Sequence, residues 1–228
     1  MSGTCQIRKG YRPTSDYRHQ TEVIDMDDTT EKIRRRYDRI APFFDKMDRM
    51  VADKHRAELI RRACGEVLEV GVGTGANLQF YPADLNVTAI DFSPRMLSFA
   101  HERVKECRAN VRLLQLDVQH LQFDDNTFDT VVSTCVFCSV PDPVAGLREI
   151  RRVLKPSGHL LMIEHMLSDH IPIALVLHLL NPFTVRLTGA NVNRRTMDNL
   201  QTSGFAIQEM RCIALSDVFR LIVATPNK

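Results

Sequence analysis

Glu69, Gly71, Gly73, Gly75 and Asp91 are the residues of this chain whose types and spacing most directly suggest chemistry. The run Val67-Leu-Glu69-Val-Gly71-Val-Gly73-Thr-Gly75 carries an apolar strand into three alternating glycines, and Asp91 follows sixteen residues after the last of them. Missing side chains at such a turn let backbone N–H groups press against a bound nucleoside compound, and a helix after the turn is expected to add its positive end. An acid near the end of the next strand suits the hydroxyls of a ribose. Leu116-Asp117-Val118 ends a third apolar stretch with a carboxylate suited to accept from an adenine amino group.

Gly71-x-Gly73-x-x-Ala76 also satisfies the looser dinucleotide fingerprint, so a nicotinamide oxidoreductase is a competing reading. Glu69 counts against it, because a carboxylate two residues before the first glycine would attract a cationic amino group and repel a pyrophosphate.

In an open parallel sheet the active surface lies beyond the carboxyl ends of the strands, which selects Thr134 to Ser139 and the pair Glu164-His165. A histidine ordinarily titrates near neutrality, so His165 is the leading candidate for handling a proton, with Glu164 a candidate for an acceptor ammonium or a loop anchor. Cys135-x-x-Cys138 has neither a second pair nor matching histidines, so it is read as packing, with no metal, although Cys138 falls on the acceptor side.

The elements that must position these groups follow from periodicity. Residues 1–28 lack helical or strand period and are read as a flexible arm. Asp28 and Glu31 make a capping box, after which Ile33, Tyr37, Ile40, Phe44, Met47 and Val51 recur at helical spacing, with a kink expected near Ala41 because of Pro42. Strands are expected at 67–70, 86–91, 111–116, 130–133 and 159–164, and helices at 76–80, 94–107, 143–154 and, capped by Asn193, 194–203. Two last strands, 205–213 and 219–225, form an antiparallel hairpin. The fold class is α/β, a Rossmann-like, seven-stranded, mostly parallel sheet with helices on both faces and an antiparallel last strand.

The 228 residues, 44% of them hydrophobic, suffice for one domain, placed at 29–228 with a helical cap at 29–63 and an apolar, lid-like insertion at 167–192. A net charge of +2 makes no case for nucleic acid, but Glu31 to Arg62 holds eleven Lys/Arg against six Asp/Glu, a basic face suited to peripheral contact with an anionic membrane. Cysteines at irregular spacing and no charged-then-apolar leader lead to an expectation of a cytoplasmic protein. The greasy stretch Ile171 to Leu180 is shorter than a membrane span requires.

Together these motifs resemble the class I S-adenosylmethionine-dependent methyltransferases, a likeness running from about Thr30 to the end. The resemblance implies S-adenosylmethionine as cofactor and S-adenosylhomocysteine as product. It implies Glu69 and the glycine loop at the methionine part, Asp91 at the ribose, Asp117 and Val118 at adenine, and Phe92, Met96 and Thr134 completing the set. Val67 to Tyr81 and Tyr37-Asp-Arg-Ile-Ala-Pro-Phe-Phe-Asp45 are similar to bacterial phosphatidylethanolamine N-methyltransferases and, more distantly, quinone C-methyltransferases. Thr134 to Val140, Leu154 to Gly158 and Ile163-Glu-His165 are similar to animal alkyl-thiol S-methyltransferases.

All three act on lipophilic acceptors, and a phospholipid amine is the first acceptor expected, then a thiol or quinone. In the phospholipid enzymes a first helix covers the cofactor and offers aromatic rings to the amine. Tyr37 matches that pattern, whereas Ile40 and Phe44 stand where a tryptophan and a tyrosine are common. Ile40, Phe44, Cys138 and Arg186, the last for a phosphate, are the expected acceptor contacts.

Overall fold

A computed structural model of the protein describes residues 26–228, so the arm expected at 1–28 lies almost wholly outside the described residues. Seven strands, β1 Glu66–Val70, β2 Asn86–Asp91, β3 Asn110–Gln115, β4 Phe128–Thr134, β5 Leu154–His165, β6 Phe205–Ala214 and β7 Phe219–Pro226, form one sheet in the order 3-2-1-4-5-7-6. The first five are parallel and β7 runs antiparallel between β5 and β6. The order reverses between β1 and β4, where a parallel sheet opens a crevice at the carboxyl ends of its strands.

Helices cover both faces. α4 (Pro94–Val104) is capped by Ser93, whose hydroxyl accepts from Met96 N at 3.1 Å, and α5 (Pro143–Val153) by Asp142 in the same way. One core layer packs Leu147, Ile150 and Val153 on Val131, Leu160 and Met162, and the other packs Leu59, Ile60, Leu97 and Ala100 on Val67, Val87 and Leu161.

The expected helix at 76–80 is only a 3-10 turn, Leu78–Phe80, since Pro82 holds Tyr81 in extended backbone and ends the turn at once. The glycine loop therefore lacks the long helix dipole anticipated for it. β5 begins directly at Leu154, paired with Phe128 through a register shift, where a turn was expected before residue 159.

The chain before β1 folds as α1 (Asp28–Ile40), a 3-10 turn at Ala41–Phe43, α2 (Phe44–Asp48) and α3 (Asp53–Ile60), so Pro42 breaks the helix where expected. The cap is Asp27, accepting from Thr30 N at 2.7 Å, and Asp28 is already the first helical residue. Few apolar side chains hold α1 and α2 down: Ile33 and Ala41 are buried, and α2 buries none. Polar bonds do the fastening. Ser93 Oγ donates to Asp38 at 2.6 Å, Thr74 Oγ1 donates to Asp45 at 2.6 Å, and Arg103 reaches both Thr74 and Asp45.

α6 (Ile171–Thr188) continues eight residues past Leu180, where the apolar stretch was expected to end. With a mean hydropathy of 1.4 and none of it buried, it is long and apolar enough to cross a membrane by length and composition. α7 (Thr196–Thr202) starts two residues later than expected, and Asn193 does not cap it but bonds the His178 ring at 3.0 Å.

Leu147 is fully buried between α5 and the sheet. Leu147→Ala is expected to lower the unfolding free energy by about 2–5 kcal/mol in a urea titration, and an unchanged midpoint would contradict this account of the core.

Candidate active site

A partly open cleft lies at the carboxyl ends of β1, β2 and β4 and beneath α1. Its floor is the turn after β1. Gly71 has φ +64°, and a Cβ there would come within 2.4 Å of Val136 Cγ2, so a side chain is excluded by both conformation and space. Gly73, at φ +56°, donates its N–H to Asp91 Oδ2 at 2.9 Å, and a Cβ on it would point toward the Phe44 ring at the cleft. Gly75 stands back from the cleft and lets Leu78 and α4 approach at Ala100.

Three carboxylates that line the cleft are held out of water. Glu69 Oε1 accepts from Asn77 Nδ2 at 2.9 Å, and the buried Tyr81 hydroxyl stands beside the same carboxylate. Burial pushes its carboxyl up to about 7. Asp91 takes Gly73 N on one oxygen and Ser93 N on the other, and burial raises it to about 6. Asp117 accepts from both the backbone and the side chain of Gln119, which also reaches Thr30 of α1 and accepts from Asp142 N.

Glu164, fully buried on β5, has one oxygen accepting from Val136 N (2.9 Å), Phe137 N (3.2 Å) and Ser133 Oγ (3.2 Å). This oxygen anchors the loop after β4, whose first residue, Cys135, sits at φ +55° with its side chain on the cleft. Holding a non-glycine residue in that left-handed conformation costs on the order of 1 kcal/mol or more, which the carboxylate bonds offset. Burial raises Glu164 to about 7.

The structure brings together Glu69, Gly71, Gly73, Asp91, Phe92, Met96, Asp117, Val118 and Thr134 around the cleft, with Tyr37 and Phe44 as its roof. Tyr37 lies 5.6 Å from the ring of Phe92 and 6.0 Å from that of Phe44. Burial beside Cys138 pushes its phenol far above the ordinary range, so the hydroxyl stays protonated.

Other expected contacts fall elsewhere. His165 does not line the cleft; successive strand residues face opposite sides, so with Glu164 turned to the β4 loop the His165 ring packs 5.7 Å from Phe219. Burial lowers it to about 4, leaving a neutral imidazole. Glu164 positions a loop and does not reach an acceptor. Cys138 is buried behind the cleft wall with its thiol toward Cys135 O, Ile40 is half-buried off the lining, and Arg186 is exposed on the last turn of α6.

Sequence reading missed Arg56 and Asn77. Arg56, 3% exposed, donates to Asp48 Oδ1 at 2.7 Å and to Asn77 Oδ1 at 2.8 Å, which turns the Asn77 amide N–H toward Glu69 and Thr134. These partners come from separate elements and share no spacing a motif could reveal.

The residues present fit a sulfonium nucleoside: the buried carboxylate of Glu69 for its amino group, a cradle without side chains, and two further acids for ribose and adenine. The fold is shared with solved S-adenosylmethionine-dependent methyltransferases, and S-adenosylmethionine is the cofactor the cleft implies. Residues 68–162 match the methyltransferase domain family.

Among curated relatives, a phosphatidylethanolamine N-methyltransferase of Cereibacter sphaeroides is 42% identical over 114 residues, 49% of this chain and 56% of that one. A thiol S-methyltransferase of Rattus norvegicus is 34% identical over 145 residues, 61% of this chain and 59% of that one. A demethylmenaquinone methyltransferase of Listeria welshimeri is 34% identical over 147 residues, 59% and 62%. The matches thus span three fifths or so of those relatives at most. A solved structure from Thermotoga maritima, described as a possible histamine N-methyltransferase, shares the fold with a TM-score of 0.65 at 19% identity, covering 85% of this chain and 99% of that one.

Because the carboxylate of Glu69 is the form that holds an ammonium, and its pKa lies near 7, protons compete with the cofactor below neutrality. S-adenosylmethionine affinity by calorimetry is expected to weaken as the pH falls from about 7 toward 6, by up to about tenfold per unit. In Glu69→Gln the affinity should be low and this slope absent. Glu164→Ala, which orphans two loop N–H groups, should weaken cofactor binding about tenfold, whereas His165→Ala should leave it unchanged; equal effects would refute the division of roles between the two.

Proposed function

We propose that this protein methylates the amine of a lipid headgroup, as in phosphatidylethanolamine, with S-adenosylmethionine as donor. The observation that carries this reading is the charge of the cleft: Asp48, Glu69, Asp91 and Asp117 line it against a single guanidinium, Arg56. Such a surround favours a nitrogen that is neutral as it attacks and cationic once methylated, and opposes a thiolate or enolate. Tyr37, Phe44 and Phe92 add a roof of aromatic faces, which attract ammonium groups. Phe92 supplies a ring where Ile40 departs from the phospholipid enzymes' pattern. The named N-methyltransferase relative from Cereibacter sphaeroides agrees with this choice.

The cofactor, when bound, would supply an electrophilic methyl that the nitrogen lone pair attacks in line, the carbon–sulfur electron pair leaving with the thioether. The chain's own work is alignment and exclusion of water. Glu69, oriented by Asn77 and Arg56, holds the cationic end of the donor, and Asp91 and Asp117 fix its nucleoside. Tyr37 and Phe44 close the cleft over the acceptor. The ammonium must shed its proton before attack, and a neutral His165 facing Phe219 is not placed to take it. Water at the open side of the cleft is the proton's exit.

A thiol acceptor is the second reading, favoured by the likeness of the segments around Thr134 to Val140 to the animal enzymes. A labelled-methyl assay over phosphatidylethanolamine, alkyl thiols and demethylated quinones separates them. Transfer to phosphatidylethanolamine is expected, with Tyr37→Ala at least about tenfold slower; label passing only to a thiol or a quinone would reject the amine reading.

A further inference from the structure

We infer that α6 is the element that seats this protein in the interface of an anionic bilayer, lying in the membrane plane beside the cleft. Ile171, Leu175, Leu179, Phe183 and Leu187 recur every four residues and are all exposed, from 60% at Leu175 to 82% at Ile171. An apolar stripe of that length is unusual on a surface that meets only water.

The helix is tied to the domain along its length in a way that forbids spanning. Leu167 N donates to Arg194 O at 2.9 Å before it, Asn191 N donates to Cys138 O at 2.8 Å after it, and Val192 N donates to the Asn181 side chain at 2.9 Å midway. The chain thus returns beneath α6 to the loop that walls the cleft. One side of α6 belongs to the protein and the other to its surroundings, the arrangement of an interfacial helix.

Charge selects the occupant. α6 contains no acidic residue, and its only formally charged side chain, Arg186, is exposed. Arg36 of α1 donates to Val185 O at 2.8 Å, and Ile33 lies against Gly189, so α1 runs antiparallel beside the end of α6. Exposed Arg39 of α1, with Lys46 and Arg49 of α2 beside exposed Phe43 and Met50, makes the neighbouring helical cap basic and partly apolar. A second copy seated on this face would bring two basic caps together, whereas a bilayer carrying anionic lipid complements the cap and the stripe at once. The basic first helix alone was the expected contact; here the cap is the electrostatic part and α6 the apolar body.

The inference deepens the lipid-amine reading and depends on it only for the purpose of docking. The test therefore uses vesicles of phosphatidylcholine with roughly one quarter phosphatidylglycerol and no ethanolamine lipid. The full chain is expected to co-sediment with them, and to release with salt. Leu175→Asp with Leu179→Asp should reduce binding at least about tenfold, while S-adenosylhomocysteine affinity and melting temperature stay as in the parent, since both positions are exposed. A chain that stays in the supernatant, or a double variant that binds as the parent does, overturns the inference. So does a dimer in light scattering that the double variant abolishes without any vesicle binding. Vesicle binding with no methyl transfer to phosphatidylethanolamine would reject the acceptor and leave the docking standing.

Discussion

Three carboxylates held out of water, Glu69 at the end of β1, Asp91 at the end of β2 and Glu164 at the end of β5, are the constraint on which the cleft depends. Each would be costly in an apolar core, and Asp91 and Glu164 are kept there by N–H groups of loops that would otherwise have no fixed path. Asp91 draws in the second glycine of the turn after β1, and Glu164 draws in the residues after Cys135. Glu69 is held differently, by the side-chain amide of Asn77. The same burial raises all three toward neutrality, so the groups that build the site also make it responsive to protons.

Much of this was legible along the chain because it is local. The glycine turn, the acid sixteen residues on, and the alternation of apolar strands with amphipathic helices each fit within one supersecondary unit. Pro42 broke the first helix where backbone chemistry requires. Parity was harder. Glu164 and His165 were both placed at a strand end, but which of two neighbours faces the site depends on pairing with β4 and β7, which no local pattern encodes.

Long-range polar contacts were invisible for a related reason. Arg56, Asp48, Asn77, Glu69 and Thr134 form one bonded chain drawn from the helical cap, the turn after the glycines and two strands. Composition reveals none of it. The exposure of α6 was equally hidden, since an apolar helical stripe reads the same whether it faces a core or the outside.

The fastening of α1 and α2 has a consequence for turnover. A flap secured by Asp38 on Ser93 and Asp45 on Thr74, with little grease beneath it, can swing away by exchanging a handful of side-chain partners for water. The sheet loses nothing in that movement. Spent nucleoside can leave and fresh nucleoside enter through a door whose hinges are independent of the walls.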